Sequence, residues 1–238
     1  MKKQPSLHCW LWHKEKAATA TIFVRTGTVV TTRPPATYYM PDWRDLTYLQ
    51  TGTTRQQQAF RAIARLGIVS TLQNYTPILA GTIPLAIDLP GSDLDIICEV
   101  PPAALPEYRQ LLQRHYGHFP DFALTETTLQ EFPTIVCSFR AEGFIWEVFG
   151  QPQASVLQNA VRHLIVEHAV LEAGGQAWRT AVRQLKQAGL KTEPAFAQLL
   201  RLPGDPYAAL LTLEGKTPRE LQALLPDLRS AESPGARQ

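Results

Sequence analysis

The sequence predicts an α/β (α+β) fold: a small mixed sheet with packed helices, followed by a C-terminal helical domain. Short apolar runs bounded by Gly or Pro, which are typical of strands, alternate with helical patterns up to Gly150. The pair Glu142-Gly143 separates two such runs and predicts a two-residue hairpin. After Gly150 the apolar residues follow helical spacing, with Gly174-Gly175 and Gly189 as stops. No internal repeat is present.

The α/β domain is assigned to residues 40–150. Its first helix is indicated by Ala59, Phe60 and Ile63, which recur at helical spacing before Gly67. In chain order, the predicted elements are helices over 48–67 and 69–73, strands over 78–80 and 93–100, a helix over 106–116, and strands over 122–125, 135–141 and 144–149.

The C-terminal helical domain is assigned to residues 151–228, and residues 229–238 are predicted to form a frayed tail rich in Ser, Pro and Gly. Residues 1–39 are rich in Thr and Ala and show no clear period, which predicts a disordered or weakly ordered leader. A short extra strand at Thr21–Arg25 or Val29–Thr32 is the alternative. The predicted C-terminal helices cover 156–173, 177–188, 193–202, 206–213 and 218–225.

Composition excludes several classes of protein. The 238 residues are 45% hydrophobic and 18% charged, as in ordinary soluble proteins, and no apolar run reaches the length of a membrane span. No apolar signal segment follows Lys2 and Lys3. Cys9, Cys98 and Cys137 show neither paired metal spacing nor a disulfide framework. We therefore expect a cytoplasmic protein with no membrane partner.

The net charge of +2 is unevenly distributed along the chain. Residues 1–40 carry six Lys and Arg against one acid, residues 41–150 carry seven against twelve, and residues 151–238 carry ten against eight. The acidic middle block suits a metal site, and it argues against a broad nucleic-acid-binding surface on that block.

Two aspartates follow a Gly-Thr turn. An apolar run ends at Gly81-Thr82, and Asp93 and Asp95 lie where the next predicted strand begins. Residues i and i+2 of a strand face the same side, so the two carboxylates are expected to project together, away from Leu94 and Ile96. Carboxylates this close repel each other unless a cation lies between them. The pair therefore predicts a divalent cation, and Mg²⁺ is the usual ion where phosphates are handled.

Glu147 offers a third carboxylate, because it is the lone charged residue in the apolar run Phe144–Phe149. Ionised acids are rarely buried without a partner. A strand that places Glu147 beside Asp93 and Asp95 would let the same cation offset this cost. The alternative is an ion pair with a buried arginine of the helical block, such as Arg162.

Together, Gly81-Thr82, Asp93, Asp95 and Glu147 resemble the motif of the nucleotidyltransferase superfamily of the DNA polymerase β type, over roughly residues 45–150. Over a longer span the chain resembles a bacterial family of uncharacterised proteins in that superfamily. The stretches that carry this resemblance are Gly81-Thr82-Ile83-Pro84, Ser92-Asp93-Leu94-Asp95-Ile96, Glu147-Val148-Phe149-Gly150-Gln151, Arg162-His163, Gly189-Leu190-Lys191-Thr192-Glu193-Pro194-Ala195-Phe196-Ala197 and Gly204-Asp205-Pro206-Tyr207.

The resemblance implies a minimal nucleotidyltransferase fold. It also implies a Mg²⁺- or Mn²⁺-dependent transfer of a nucleotidyl group from an NTP to a hydroxyl acceptor: a small molecule, a protein or an RNA end. Asp93 and Asp95 would hold the metal, and Glu147 would hold a second metal or accept the proton of the attacking hydroxyl. The residues expected at the phosphates near the turn are Gly81, Thr82 and Ser92.

Basic residues of the helical block have two interpretations each. Arg162 or His163 could line a cleft between the blocks and touch a phosphate, whereas His163 and Glu167, at i and i+4, could form a structural pair. Lys186 and Lys191 could be solvated, or could clamp a phosphate, since Lys191 directly precedes a predicted helix.

One departure from the superfamily pattern supports rival functions. The stretch after the turn, residues 83–88, is apolar where many members carry basic or small polar residues. A catalytically silent nucleotide- or metal-binding module of the same fold is therefore one alternative, and a metal-dependent phosphohydrolase is another. A nucleic acid acceptor is not favoured, because the block is acidic. The sequence leaves the oligomeric state open.

Overall fold

A computed structural model describes residues 41–227. Its sheet contains β1 (Ile78–Ala80), β2 (Leu94–Glu99), β3 (Ala123–Leu129), β4 (Phe132–Ala141) and β5 (Phe144–Gln151). The strand order is β1-β2-β5-β4-β3, in which β2 and β5 are parallel and the other neighbours are antiparallel. The predicted fold class, a mixed sheet with packed helices followed by C-terminal helices, is confirmed. The predicted leader, the alternative strands within it and the predicted tail lie outside the described residues.

The hairpin between β4 and β5 turns at Glu142-Gly143, as predicted. Both residues have positive φ, 53° and 77°, which two-residue turns of type I′ require. Ala141 pairs with Phe144 across the turn, and the Trp146 indole N–H donates to the Ala141 carbonyl at 2.9 Å. The turn thereby fixes the register of the long β4–β5 pair, and with it the position of Glu147.

The helices follow the predicted order. Helix α1 begins in a capping box, in which Thr53 and Gln56 bond to each other's backbone N–H groups, and it ends at Gly67 in the left-handed conformation. Short 3₁₀ segments occupy Thr47–Gln50, Gln73–Tyr75, Pro102–Ala104 and Ser155–Leu157. The α-helices are α1 (Thr54–Leu66), α2 (Ile68–Thr71), α3 (Leu105–Tyr116), α4 (Asn159–Gln187), α5 (Thr192–Leu200), α6 (Pro206–Leu211) and α7 (Pro218–Leu224).

Helix α4 spans the region where the sequence predicts two helices. The break expected at Gly174-Gly175 is present, because Gly175 has φ 63° and ψ −155°, which is not helical. Two helices therefore meet at a kink within α4, as the sequence predicts. None of the helices within residues 41–227 is both long and apolar enough to cross a bilayer.

The main apolar core lies on one face of the sheet. Leu94, Ile96 and Val148 contribute to it from β2 and β5, and Tyr108 of α3 contributes from the helices. Phe139 stacks on both Tyr116 and Trp146, at centroid separations of 4.8 and 6.0 Å. Because side chains alternate along a strand, Asp95 and Glu147 project to the opposite face.

Candidate functional site

Asp93, Asp95 and Glu147 converge, as the sequence predicts. One carboxylate oxygen from each lies within 4.8 Å of the other two. The parallel register of β2 and β5 sets Asp95 directly opposite Glu147, and Asp93 precedes Asp95 by two residues on the same face. Three carboxylates on adjacent backbone segments form an oxygen-rich group of the kind that hard divalent cations bind.

Burial of these three carboxylates destabilises the fold unless a cation binds them. Asp95 is 3% exposed and Glu147 8%, and Asp95 Oδ1 has no hydrogen-bond partner among the described residues. Burial, then the charges of Asp93, Glu147 and Glu193, raises the pKa of Asp95 well above its ordinary value. Burial and then the Asp93 charge raise the pKa of Glu147 to about 7. Burial also raises the pKa of Asp93, which the nearby Lys186 lowers in part. The residues therefore fit a divalent cation.

The Gly-Thr turn packs directly against this group. Gly81 has φ +80°, and a Cβ added to it would lie 2.2 Å from Asp95 Oδ2. The Thr82 hydroxyl donates to Ser92 Oγ at 3.4 Å, and Ser92 Oγ also accepts the Leu89 N–H at 3.0 Å. Glycine is required at position 81 both for its backbone conformation and for the close approach of the carboxylate.

Replacing Gly81 with alanine is expected to destabilise the fold by about 1–3 kcal/mol and to weaken divalent-cation binding. The new methyl group would strain a left-handed residue and displace Asp95. Gly143→Ala is the matched control, because Gly143 has φ +77° and open space around its added Cβ. Chemical denaturation and Mn²⁺ titration of both variants test this. Equal loss of cation affinity in the two variants would contradict a role for the contact with Asp95.

The apolar stretch after the turn is explained by packing. Ile83, Leu85 and Ile87 are each at most 2% exposed. The side chains that bind the carbonyls of this stretch come from two helices: Gln56 Nε2 donates to Ile83 O at 2.9 Å, and Arg179 Nη1 donates to Leu85 O at 3.1 Å. These apolar side chains fill the interior, which accounts for their departure from the superfamily pattern.

A cleft of about 420 Å³ opens beside Ser92, the residue that precedes Asp93. Two arginines line it, and the guanidinium of Arg55 lies 3.7 Å from the centre of the Phe144 ring. Arg55 and Arg140 are not predicted from the sequence as site residues, because only the fold brings α1, the β4–β5 hairpin and the loop before β2 together. The lining residues are Arg55, Gly91, Ser92, Arg140, Ala141, Glu142, Gly143, Phe144 and Ile145.

Arg162 binds Glu214, in place of the Glu147 pairing considered from the sequence. Its Nε and Nη2 donate to the two Glu214 carboxylate oxygens at 2.7 and 2.5 Å, and its Nη1 donates to Asn159 Oδ1 at 2.9 Å. The adjacent His163 is 3% exposed and does not reach solvent. Arg162 is thus held by a fork-shaped ion pair with Glu214.

The two predicted lysines differ in environment. Lys186 is half-buried, donates from Nζ to the Ile87 carbonyl at 2.9 Å, and lowers the pKa values of Asp93 and Asp95 by its charge. Lys191 is exposed at the N-terminus of α5. Burial raises the pKa of the nearby Glu193, and the Lys191 charge lowers it in part. Lys186 is therefore close to the predicted carboxylates, and Lys191 lies at the neighbouring helix end.

The structure also brings together a group that the sequence analysis did not assemble. His163 and Glu167 of α4 meet Glu193 of α5, and one potential ligand atom from each lies within 4.8 Å of the others. The i, i+4 spacing of His163 and Glu167 is visible in the sequence, but the approach of Glu193 depends on how α5 packs against α4.

Comparisons with known proteins give one family and several similar structures. The sequence model of the family described as "Domain of unknown function (DUF4269)" matches residues 61–213. None of the curated proteins matches the chain.

The similar solved structures include two that are described as polymerases. The polymerase core of TRAMP, an RNA surveillance complex, is 12% identical, with 74% of this chain and 55% of that chain covered at a TM-score of 0.41. The Cid1 poly(U) polymerase with Mg and 3′-dATP bound is 10% identical, with coverages of 68% and 49% and a TM-score of 0.44. The GLD-2/RNP-8 complex is 13% identical, with coverages of 78% and 69% and a TM-score of 0.42. The chain spans about half the length of the TRAMP and Cid1 chains.

Proposed function

We propose that this chain, which belongs to the family described as "Domain of unknown function (DUF4269)", is a Mg²⁺-dependent nucleotidyltransferase that moves a nucleotidyl group from an NTP to a hydroxyl acceptor. One observation carries the proposal: the carboxylates of Asp93, Asp95 and Glu147 lie within 4.8 Å of one another, against the Gly81 turn. The acceptor is a small molecule, a protein side chain or an RNA end, and the acidic charge of residues 41–150 favours the first two.

Each carboxylate is given a role according to its position in the fold. A divalent cation, when bound, neutralises charge that develops on the phosphoryl oxygens during in-line displacement. Asp93 and Asp95 would hold it, and Asp95 is fixed in place by β2 and by the close approach of Gly81. Glu147 would add a ligand or accept the proton of the attacking hydroxyl at its carboxylate.

Groups that suit phosphates lie near the carboxylates. The Thr82 and Ser92 hydroxyls offer polar contacts to a phosphate, and the cleft beside Ser92 is lined by Arg55 and by Arg140, which also forms an ion pair with Asp121. Lys186 supplies positive charge to Asp93 and Asp95. We propose Arg162 and Lys191 as more distant contributors to phosphate binding; His163 is too deeply buried to contact a phosphate.

A catalytically silent metal-binding module is the second candidate, and one observation favours it. Asp95 and Glu147 are only 3% and 8% exposed, so a cation between them would have little contact with a substrate unless Asp93 and the turn form the open side of the site. Such a module would bind a cation tightly and an NTP weakly or not at all.

Calorimetry separates these functions. The purified full chain is titrated with each NTP in Mg²⁺, in Mn²⁺ and in EDTA, and is then incubated with labelled NTP and a panel of small-molecule, protein and RNA acceptors. The transferase predicts cation-dependent NTP binding and a labelled acceptor. Cation binding without NTP binding would support the silent module. Release of free phosphate or pyrophosphate with no labelled acceptor would identify a phosphohydrolase, and either result overturns the transferase.

A further inference from the structure

A second group of metal-ligating side chains lies between α4 and α5. His163 and Glu167 are one helical turn apart on α4, and Glu193 lies in the first turn of α5. One ring nitrogen and one oxygen from each carboxylate lie within 4.8 Å of one another, and all three residues are buried, at 3%, 4% and 7% exposure.

One polar atom of this group is left without a hydrogen bond. His163 Nδ1 is buried and has no hydrogen-bond partner among the residues that the structure describes. No hydrogen bond or ion pair within residues 41–227 joins the three side chains to one another, as a structural His–Glu pair would require. A buried imidazole nitrogen without a hydrogen bond is destabilising unless another group binds it, and two buried carboxylates lie beside this one.

The charge around the group is also unbalanced. Glu193 is close enough to Asp95 for its charge to raise the pKa of Asp95, so the two clusters are electrostatic neighbours. Burial raises the pKa values of Asp93, Asp95, Glu167 and Glu193, and the positive charge of Lys186 lowers all four in part. Lys191 also acts on Glu193. Two lysines do not balance the five acids of the two clusters if these are ionised together, and cations in both clusters would.

We propose that His163, Glu167 and Glu193 form a second divalent-cation site, distinct from the Asp93, Asp95 and Glu147 site. One imidazole with two carboxylates is a donor set suited to Zn²⁺ or another first-row transition ion, whereas the all-carboxylate site suits Mg²⁺. The bound ion joins α4 to α5 and neutralises Glu193 beside Asp95. This proposal stands independently of nucleotide transfer.

Metal titration in excess Mg²⁺ tests the second site. The full-length protein is stripped with a chelator, saturated with Mg²⁺ to occupy the carboxylate site, and titrated with Co²⁺ by visible absorption and with Zn²⁺ by calorimetry. Wild type is expected to bind one ion with the absorption of a nitrogen-ligated Co²⁺ centre. Asp93→Asn is expected to retain this signal, because Asp93 belongs to the other site.

Glu167→Gln and His163→Gln are each expected to weaken this binding at least about tenfold, since even indirect partners of metal ligands contribute that much. Glu126→Gln and His115→Gln are matched controls on exposed residues and should leave it unchanged. Circular dichroism checks folding, and if His163→Gln does not fold, Glu167→Gln decides the test. Absence of Co²⁺ and Zn²⁺ binding in wild type, or unchanged affinity in a folded Glu167→Gln variant, would overturn the proposal.

Discussion

Replacing Asp95 with asparagine is expected to lower nucleotide transfer by about 10³-fold or more while making the metal-free protein more stable. A bound metal supplies several kcal/mol of transition-state stabilisation, and each 1.36 kcal/mol is about tenfold in rate. The same carboxyl is 3% exposed, lacks a partner at Oδ1 and faces other acids. Burial and these acids raise the pKa of Asp95 in the fold. Near neutral pH the carboxyl therefore ionises more readily in the unfolded chain, which favours unfolding. Asparagine does not ionise, so it removes this destabilisation of the fold.

The two expected effects have opposite signs, which makes the experiment informative. Transfer is measured with saturating Mg²⁺, and thermal unfolding is measured in EDTA at pH 7. The free energy of unfolding is expected to increase by at least about 1 kcal/mol, which raises the Tm of a chain of this size by about 2–4 °C. Glu126→Gln, which removes one carboxyl of an exposed ion pair with Arg109, should change neither quantity appreciably. A loss of stability in metal-free Asp95→Asn would show that the carboxyl is satisfied within the fold and has no need of a cation.

The sequence predicts the sheet and most helices because their signals are local. The two-residue hairpin at Glu142-Gly143 follows from residues that accept positive φ, and the break in α4 follows from Gly175. The convergence of Asp95 and Glu147 needed one additional assumption, that their strands are neighbours, and the motif resemblance supplied it. The parallel register, with Asp95 opposite Glu147, confirms it.

The residues that sequence reasoning missed are brought together by long-range packing. Glu193 lies close to Asp95 and His163 only because α5 packs against α4, and no periodicity in the sequence encodes that approach. Arg55 belongs to the first helix, yet it lines the cleft at the hairpin. The apolar residues after Gly81-Thr82 depart from the superfamily pattern, and burial of Ile83 and Ile87 explains them. Sequence patterns identify which residues are apolar but not which cavity they fill.

Replacing Glu147 with glutamine is expected to stabilise the metal-free protein increasingly as the pH rises. The pKa of Glu147 is about 7 in the fold against an ordinary 4.5, with burial as the main cause. Between these values the unfolded chain has released a proton that the folded chain retains, so the stability contributed by this group is fully present below about pH 4.5 and is lost as the pH rises through 7. The stability gained by Glu147→Gln should therefore increase by about 3 kcal/mol between pH 4 and pH 8.

The comparison with wild type at each pH is essential, because His163 has the opposite effect. Burial lowers the pKa of His163 to about 4, so its contribution to stability rises with pH over part of the same range and could mask the loss. Wild type and Glu147→Gln both retain His163, so its contribution cancels in the difference between their free energies of unfolding, which are measured in EDTA. Mn²⁺ should then stabilise wild type more at pH 8 than at pH 5, since cations bind the deprotonated carboxylate, and should stabilise Glu147→Gln less. A difference between the variants that stays constant from pH 4 to pH 8 would mean that Glu147 ionises as freely as an exposed acid, and the buried carboxylate group would then need no cation.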